Sequence, residues 1–121
     1  MNRLAMAAVL CALAGVLFTP VRAQEPAQAD DVRAGRALSL KLCTACHLVL
    51  PNQEMTPLLR PPAPAFRAIA NRPGVTADSL RRFLSETHSS IRSTKDMPNP
   101  ELTEDQTRQA VAFLMSLRSR R

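Results

Sequence analysis

The stretch Cys43-Thr44-Ala45-Cys46-His47 constrains this chain more than any other. Its two thiols stand three positions apart on one turn, and an imidazole follows at once. That spacing lets both sulfurs add to the two vinyl groups of a haem while the next ring points at the iron. C-x-x-C-H is therefore read as covalent c-type haem attachment. Other chemistries also use paired thiols. A thioredoxin-like dithiol follows a strand within a βαβ pattern, whereas a helical pattern precedes Cys43 and no strand alternation occurs. A structural zinc site wants about four ligands, and the only other His is His88. A plain disulfide across two intervening residues is equally weakly supported.

The N-terminus agrees with a haem attached outside the cytoplasm. Asn2-Arg3 gives a short positive start, Leu4 to Phe18 is almost unbroken apolar sequence, and Val21-Arg22-Ala23 follows Pro20. Charged start, apolar middle and small-residue exit make residues 1–23 a secretory signal peptide, cleaved after Ala23. The run is shorter than the roughly 20 residues of a comfortable membrane span, and a retained anchor is the alternative. Cys11 reads as a small hydrophobe of that discarded segment; a lipoprotein cysteine follows a small residue, and Leu10 is not one. Periplasmic location follows.

Removing 23 of 121 residues leaves one small domain, which has Phe66, Phe83 and Phe113 but no Trp or Tyr. A domain of this size buries a core only marginally, and one large apolar cofactor remedies that. The formal net charge of the whole chain is +6, and the balance stays positive without Arg3 and Arg22. Arg118, Arg120 and Arg121 form a basic tail. Such charge steers toward an acidic protein partner or, peripherally, a membrane surface. Nucleic acid is excluded by scattered basic residues and the lack of stacking aromatics beyond Phe.

Residues 24–31 read as a flexible lead-in, and 32–121 as the domain. Asp30-Asp31 suits a helix start. Val32, Gly35, Leu38 and Leu42 then lay an apolar stripe on a helix that runs into Cys43. Pro51, Pro57, Pro61, Pro62 and Pro64 predict an extended loop. A short helix over 65–71 is expected, then a third capped by Thr76 with Leu80, Phe83 and Leu84 on one face. A second loop carries Met97-Pro98-Asn99-Pro100. Thr103-Glu104-Asp105-Gln106 is a capping box opening a last helix with Ala110, Val111, Phe113, Leu114 and Leu117, whose basic end complements its dipole. The fold class is all-α.

His47 supplies one iron ligand, and the second comes from Met55, Met97, Met115 or His88. Met115 sits beside the apolar stripe of the last helix, and Met55 is too near His47 in sequence to return easily. Met97, in a Pro-stiffened loop fifty residues on, is the favoured distal ligand, with His88 or an open position as alternatives.

With these residues in place, the chain resembles the class I, mitochondrial-like monohaem cytochromes c of bacteria from Gly35 to about Leu117. Gly35 matches the glycine at which the first helix crosses the last. Cys43, Cys46 and His47 match the haem motif. Pro64 matches the proline whose carbonyl accepts the proximal imidazole proton, Met97-Pro98 matches the distal ligand loop, and Phe113 matches the aromatic of the final helix. The resemblance implies one haem c with His47/Met97 ligation, an electron carrier rather than an enzyme, and a monomer that docks weakly on redox partners. Ser39 departs from the family's frequent aromatic, which predicts a looser helix crossing. Leu48 departs from a common glycine. No tryptophan serves a propionate, leaving Arg60 and Arg72 as candidates by charge. Three roles stay open: a free shuttle between respiratory complexes, a subunit dedicated to one periplasmic dehydrogenase, and a five-coordinate haem enzyme or sensor. The lysine-poor surface, with Lys41 and Lys95 alone, leans toward a dedicated partner.

Overall fold

The computed structural model describes residues 24–86 and 97–119. The signal segment with its cleavage site, His88, Lys95, Arg120 and Arg121 lie outside the described residues. Four helices follow in order: α1 (Gln24–Leu42), α2 (Phe66–Ala70), α3 (Ala77–Ser85) and α4 (Glu104–Ser116). Among the described residues there is no strand, only an isolated parallel bridge between His47 and Ala63. The all-α expectation holds.

α1 starts earlier than Asp30-Asp31. Residues 24–31, expected to form a lead-in, are its first turns. Glu25 places negative charge in the first turn, where the helix dipole favours it. Pro26 is tolerated there because its missing N–H has no helical partner to lose. The two aspartates act as ion-pair partners inside the helix instead of as caps. Asp30 pairs with Arg33, and Asp31 accepts from Arg108 Nε of α4 at 3.0 Å.

The later helix starts are where local chemistry puts them. Thr76 Oγ1 accepts from Ser79 N at 3.1 Å, and Ser79 Oγ accepts from Thr76 N at 2.8 Å. At α4, Thr103 Oγ1 accepts from Gln106 N at 3.2 Å while Gln106 Oε1 accepts from Thr103 N at 3.0 Å. Both are reciprocal capping boxes, which satisfy otherwise orphaned N–H groups.

α1 and α4 cross at Gly35. A methyl group at Gly35 would overlap the Gln109 carbonyl and reach 3.0 Å from Phe113 Cβ. The looser crossing expected from Ser39 is not found at Gly35, and Ser39 itself is only 1% exposed. The core comprises Val49, Phe66, Leu80, Leu84, Ala110, Val111, Phe113 and Leu114, so α2, α3 and the first loop close onto α4, and Val32, Leu38 and Leu40 of α1 pack against that cluster.

The chain end corrects one expectation. α4 has no basic residue in its last turn; Arg118 lies beyond it. Its guanidinium donates to Ala70 O at 3.0 Å and Val75 O at 2.6 Å. Asn71 answers from the other side, with Oδ1 accepting from Ser119 N at 2.9 Å. The described part of the basic tail thus clasps the α2–α3 connection, which carries one wall of the cavity described below. Among the described residues no helix is long and apolar enough to cross a membrane.

Candidate haem site

α1 delivers the motif. Cys43 N still donates to Ser39 O at 2.9 Å, and the next turn closes with Cys46 N and His47 N both donating to Cys43 O at 3.2 and 2.9 Å. Both sulfurs and the imidazole therefore emerge from one turn at the end of a rigid helix. The carbonyls that follow are met one by one from the proline-rich loop. Ala45 O accepts from Leu58 N (2.8 Å) and Leu59 N (3.4 Å), Cys46 O from Ala63 N (3.0 Å) and Leu48 O from Phe66 N (3.0 Å). Backbone polar groups need such partners when enclosed, and meeting them lays the loop back over the motif.

The His47 ring is fixed on two sides. Its Nδ1 is 2.8 Å from Pro64 O, and as a carbonyl can only accept, the ring donates there. Phe66 meets the ring edge-on with centroids 5.5 Å apart, and Phe66 in turn lies 6.3 Å from Phe113 of α4. The core thus reaches the imidazole through two aromatic rings, and Nε2 is left as the nitrogen free to bind.

His47 opens onto a cavity of about 880 Å³, at the upper end of the roughly 300–1,000 Å³ usual for small-molecule sites. Cys43, Cys46 and His47 line it together with Leu80, Phe83 and Met97. Leu42, Leu59 and Phe83 are exposed large apolar side chains, 48%, 38% and 43% accessible, and all three belong to the same lining. A flat apolar group seated there would cover them. Burial is the main cause that pushes the Cys43 thiol up, with Cys46 adding to it. Two thiols, an imidazole with a free Nε2 and an apolar cavity therefore fit a haem.

The other expected residues separate clearly. Of the methionines, Met97 lines the cavity. Met55 is turned away, its Sδ 3.5 Å from Thr44 Oγ1, and Met115 packs against the core. The Met97 segment is held by Pro98 and Pro100 and by Asn99 Oδ1, which accepts from Glu101 N at 2.9 Å. Arg72 lines the cavity, whereas Arg60 donates to Pro57 O and Leu59 O of its own loop. Among the described residues no cluster of three or more His, Cys, Asp or Glu side chains offers a metal cage. Nor, among the described residues, does the thioredoxin-like alternative find a strand before Cys43.

Residues 32–118 match the family model described as Cytochrome c. The chain belongs to the cytochrome c family. Its cofactor is accordingly a covalently bound c-type haem, with Cys43, Cys46 and His47 as the attachment motif. This cytochrome c is a haem-binding electron carrier, as members of the family typically are. No curated protein and no solved structure matches the chain. One residue of the site escaped sequence reasoning: Gln53, whose amide bonds to His47 O and to three other backbone groups. A lone glutamine in a polar loop gives no signal, because its partners are backbone atoms.

Proposed function

We propose that this protein is an exported bacterial cytochrome c of class I that carries single electrons in the periplasm, with His47 and Met97 as axial ligands. The observation that carries this reading is the shared cavity, which brings Met97 to the same lining as Cys43, Cys46 and His47. When bound, the haem supplies the ferrous/ferric couple of its iron. Cys43 and Cys46 tether it, so that even a modest pocket keeps it. His47 offers Nε2 while Nδ1–H donates to Pro64 O, a bond that orients the ring and raises its basicity. Met97 offers a soft thioether, which raises the potential relative to two imidazoles. Arg72, which lines the cavity, is by its charge the candidate partner of a propionate. Retention of both ligands in both oxidation states keeps the protein's rearrangement small.

The signal peptide is removed after Ala23, and the mature protein is a monomer whose positive surface docks on acidic redox partners through weak contacts. A dedicated periplasmic dehydrogenase is the alternative partner, favoured by a surface whose described cations are arginines apart from Lys41. Co-purification of one dehydrogenase in stoichiometric amount would replace the free shuttle by this reading.

Absorption spectra of the periplasmic protein, oxidised and then reduced, test the core of the proposal. Sharp reduced c-type bands and a haem-stained band at the mature mass on a denaturing gel are expected, with a far-red sulfur-to-iron band in the oxidised form. In Met97→Ala that far-red band disappears, the potential falls and the ferrous protein binds carbon monoxide. An unchanged spectrum and potential in Met97→Ala would move the ligand elsewhere. Ready carbon monoxide binding by the unaltered protein would favour the five-coordinate reading.

A further inference from the structure

Gln53 is half-buried in the loop after the haem motif, and its amide is fully used. Oε1 accepts from Val49 N at 2.7 Å and Leu50 N at 3.2 Å. Nε2 donates to Met55 O at 2.6 Å and His47 O at 3.4 Å. A side-chain amide has two donor hydrogens and one acceptor oxygen with two lone pairs, so all four capacities meet backbone. The backbone of Gln53 adds to the same turn, its N–H donating to Leu50 O at 3.3 Å.

The position of this amide gives it meaning. Ala45 O and Cys46 O are met by main-chain N–H groups of the loop, and Leu48 O by that of Phe66 at the start of α2. His47 O is met by the Gln53 side chain instead. The His47 carbonyl defines the peptide plane next to the residue whose ring must hold Nδ1 at 2.8 Å from Pro64 O. Val49, whose N–H also bonds Gln53, is a core residue only 2% exposed. The amide therefore ties the peptide of His47 to a fixed point of the core.

We propose that Gln53 is a positioning residue for His47, holding its peptide so that the ring keeps its hydrogen bond to Pro64 O. This role rests on the reading of His47 as an iron ligand. Hydrogen-bond strength falls steeply with distance and angle, so a freed His47 peptide weakens the Nδ1–H···O contact. A weaker contact makes Nε2 less basic, which withdraws support from the oxidised iron and raises the potential. A residue that merely stapled the loop would change stability and leave the potential where it is.

The test compares full-length holoproteins carrying Gln53→Ala and Gln53→Glu. The glutamate keeps an acceptor for Val49 N and Leu50 N but sets an oxygen against His47 O and Met55 O. Both variants are expected to shift the equilibrium constant for reduction toward the ferrous form, on the order of threefold to tenfold; tenfold is about 59 mV for one electron. Both should also move the hyperfine-shifted His47 ring resonances of the oxidised protein, and only Gln53→Ala should speed amide exchange at Val49 and Leu50. A lower melting temperature with unmoved potential and resonances overturns the role of Gln53 alone. Absence of shifted imidazole resonances in the unaltered protein overturns the ligand reading and this role with it. If neither variant accumulates as holoprotein, the unaltered protein decides. Of the two Gln53 side-chain N–H hydrogens one meets Met55 O and the other His47 O; slower exchange of both than of those on the exposed Asn52 supports the bond to His47 O, and protection of one alone overturns it.

Discussion

Ser39 carries a hydroxyl into a place where nothing receives it. It lies one turn before Cys43, is 1% exposed, and its Oγ makes no hydrogen bond. A buried polar group left unmet costs about 1–3 kcal/mol, and alanine is also the better helix former. Ser39→Ala should therefore raise the stability of the holoprotein by about 1 kcal/mol, read as a higher denaturation midpoint at unchanged slope. A fall in stability would mean that the hydroxyl finds a partner once the haem is attached, with the Cys43 sulfur the nearest acceptor of consequence. The same scale explains what the sequence could disclose. Cys43, Cys46 and His47 announce themselves because covalent chemistry dictates their spacing. Pro64 needed the likeness to a family, since a carbonyl acceptor has no local pattern of its own, whereas Met97 could be favoured from its distance to His47 and its proline-stiffened loop. Ser39 and Gln53 act through burial and backbone partners, which no single position in a sequence reveals.

At the scale of elements, the helix starts that depend on neighbours three residues apart were legible, and the ones that depend on distant residues were not. Thr76 and Thr103 cap through Ser79 and Gln106, so local sequence sufficed. The true start of α1 was hidden behind Asp30 and Asp31, which resemble caps but answer Arg33 and the distant Arg108. That second contact spans the helix crossing on the surface, where exposed ion pairs contribute little. The crossing itself rests on Gly35. Replacing Gly35 by alanine removes a helix-interior penalty of roughly 0.5–1 kcal/mol. It also drives a methyl into the Gln109 carbonyl, and overpacking of this kind costs typically 1–3 kcal/mol, occasionally more. The obstacle is helix backbone and not a side chain able to swing aside, so the cost belongs at the high end. Gly35→Ala is expected to lose about 2 kcal/mol net by chemical denaturation of the holoprotein. Thr103→Ala, which removes the cap of α4 without touching the crossing, should lose about 1 kcal/mol. A Gly35→Ala protein as stable as the parent would mean that α1 and α4 slide apart at little cost.

On the scale of the whole molecule, the core and the cavity divide the protein into two kinds of packing. Val111, Phe113 and Leu114 of α4 are enclosed by other protein groups and need nothing added. The lining around Leu42, Leu59, Phe83 and Met97 faces the cavity of about 880 Å³, and in a domain this small so large an apolar surface left wet is a substantial loss. The haem therefore acts as part of the core, and its covalent tether changes how that shows. A dissociable ligand stabilises by mass action, but a tethered one stays on the unfolded chain and contributes only through contacts made in the folded state. The cavity that would receive them is lined by α3, the Met97 loop, the proline-rich loop, Ile69 of α2 and the end of α1, whereas the α1–α4 crossing relies on protein alone. A Cys43→Ala/Cys46→Ala protein prepared without haem should then keep much of its helical far-ultraviolet dichroism through α1 and α4. It should at the same time lose cooperative thermal unfolding and side-chain shift dispersion, the signs of a chain whose specific packing has gone. The loss should be uneven, with amide protection falling first in α3 and last at the Gly35 crossing, because local stability follows enclosed apolar contacts. A sharp cooperative melt of the haem-free variant near that of the holoprotein would contradict this, and would make the cavity a preformed receptacle that the protein core supports unaided.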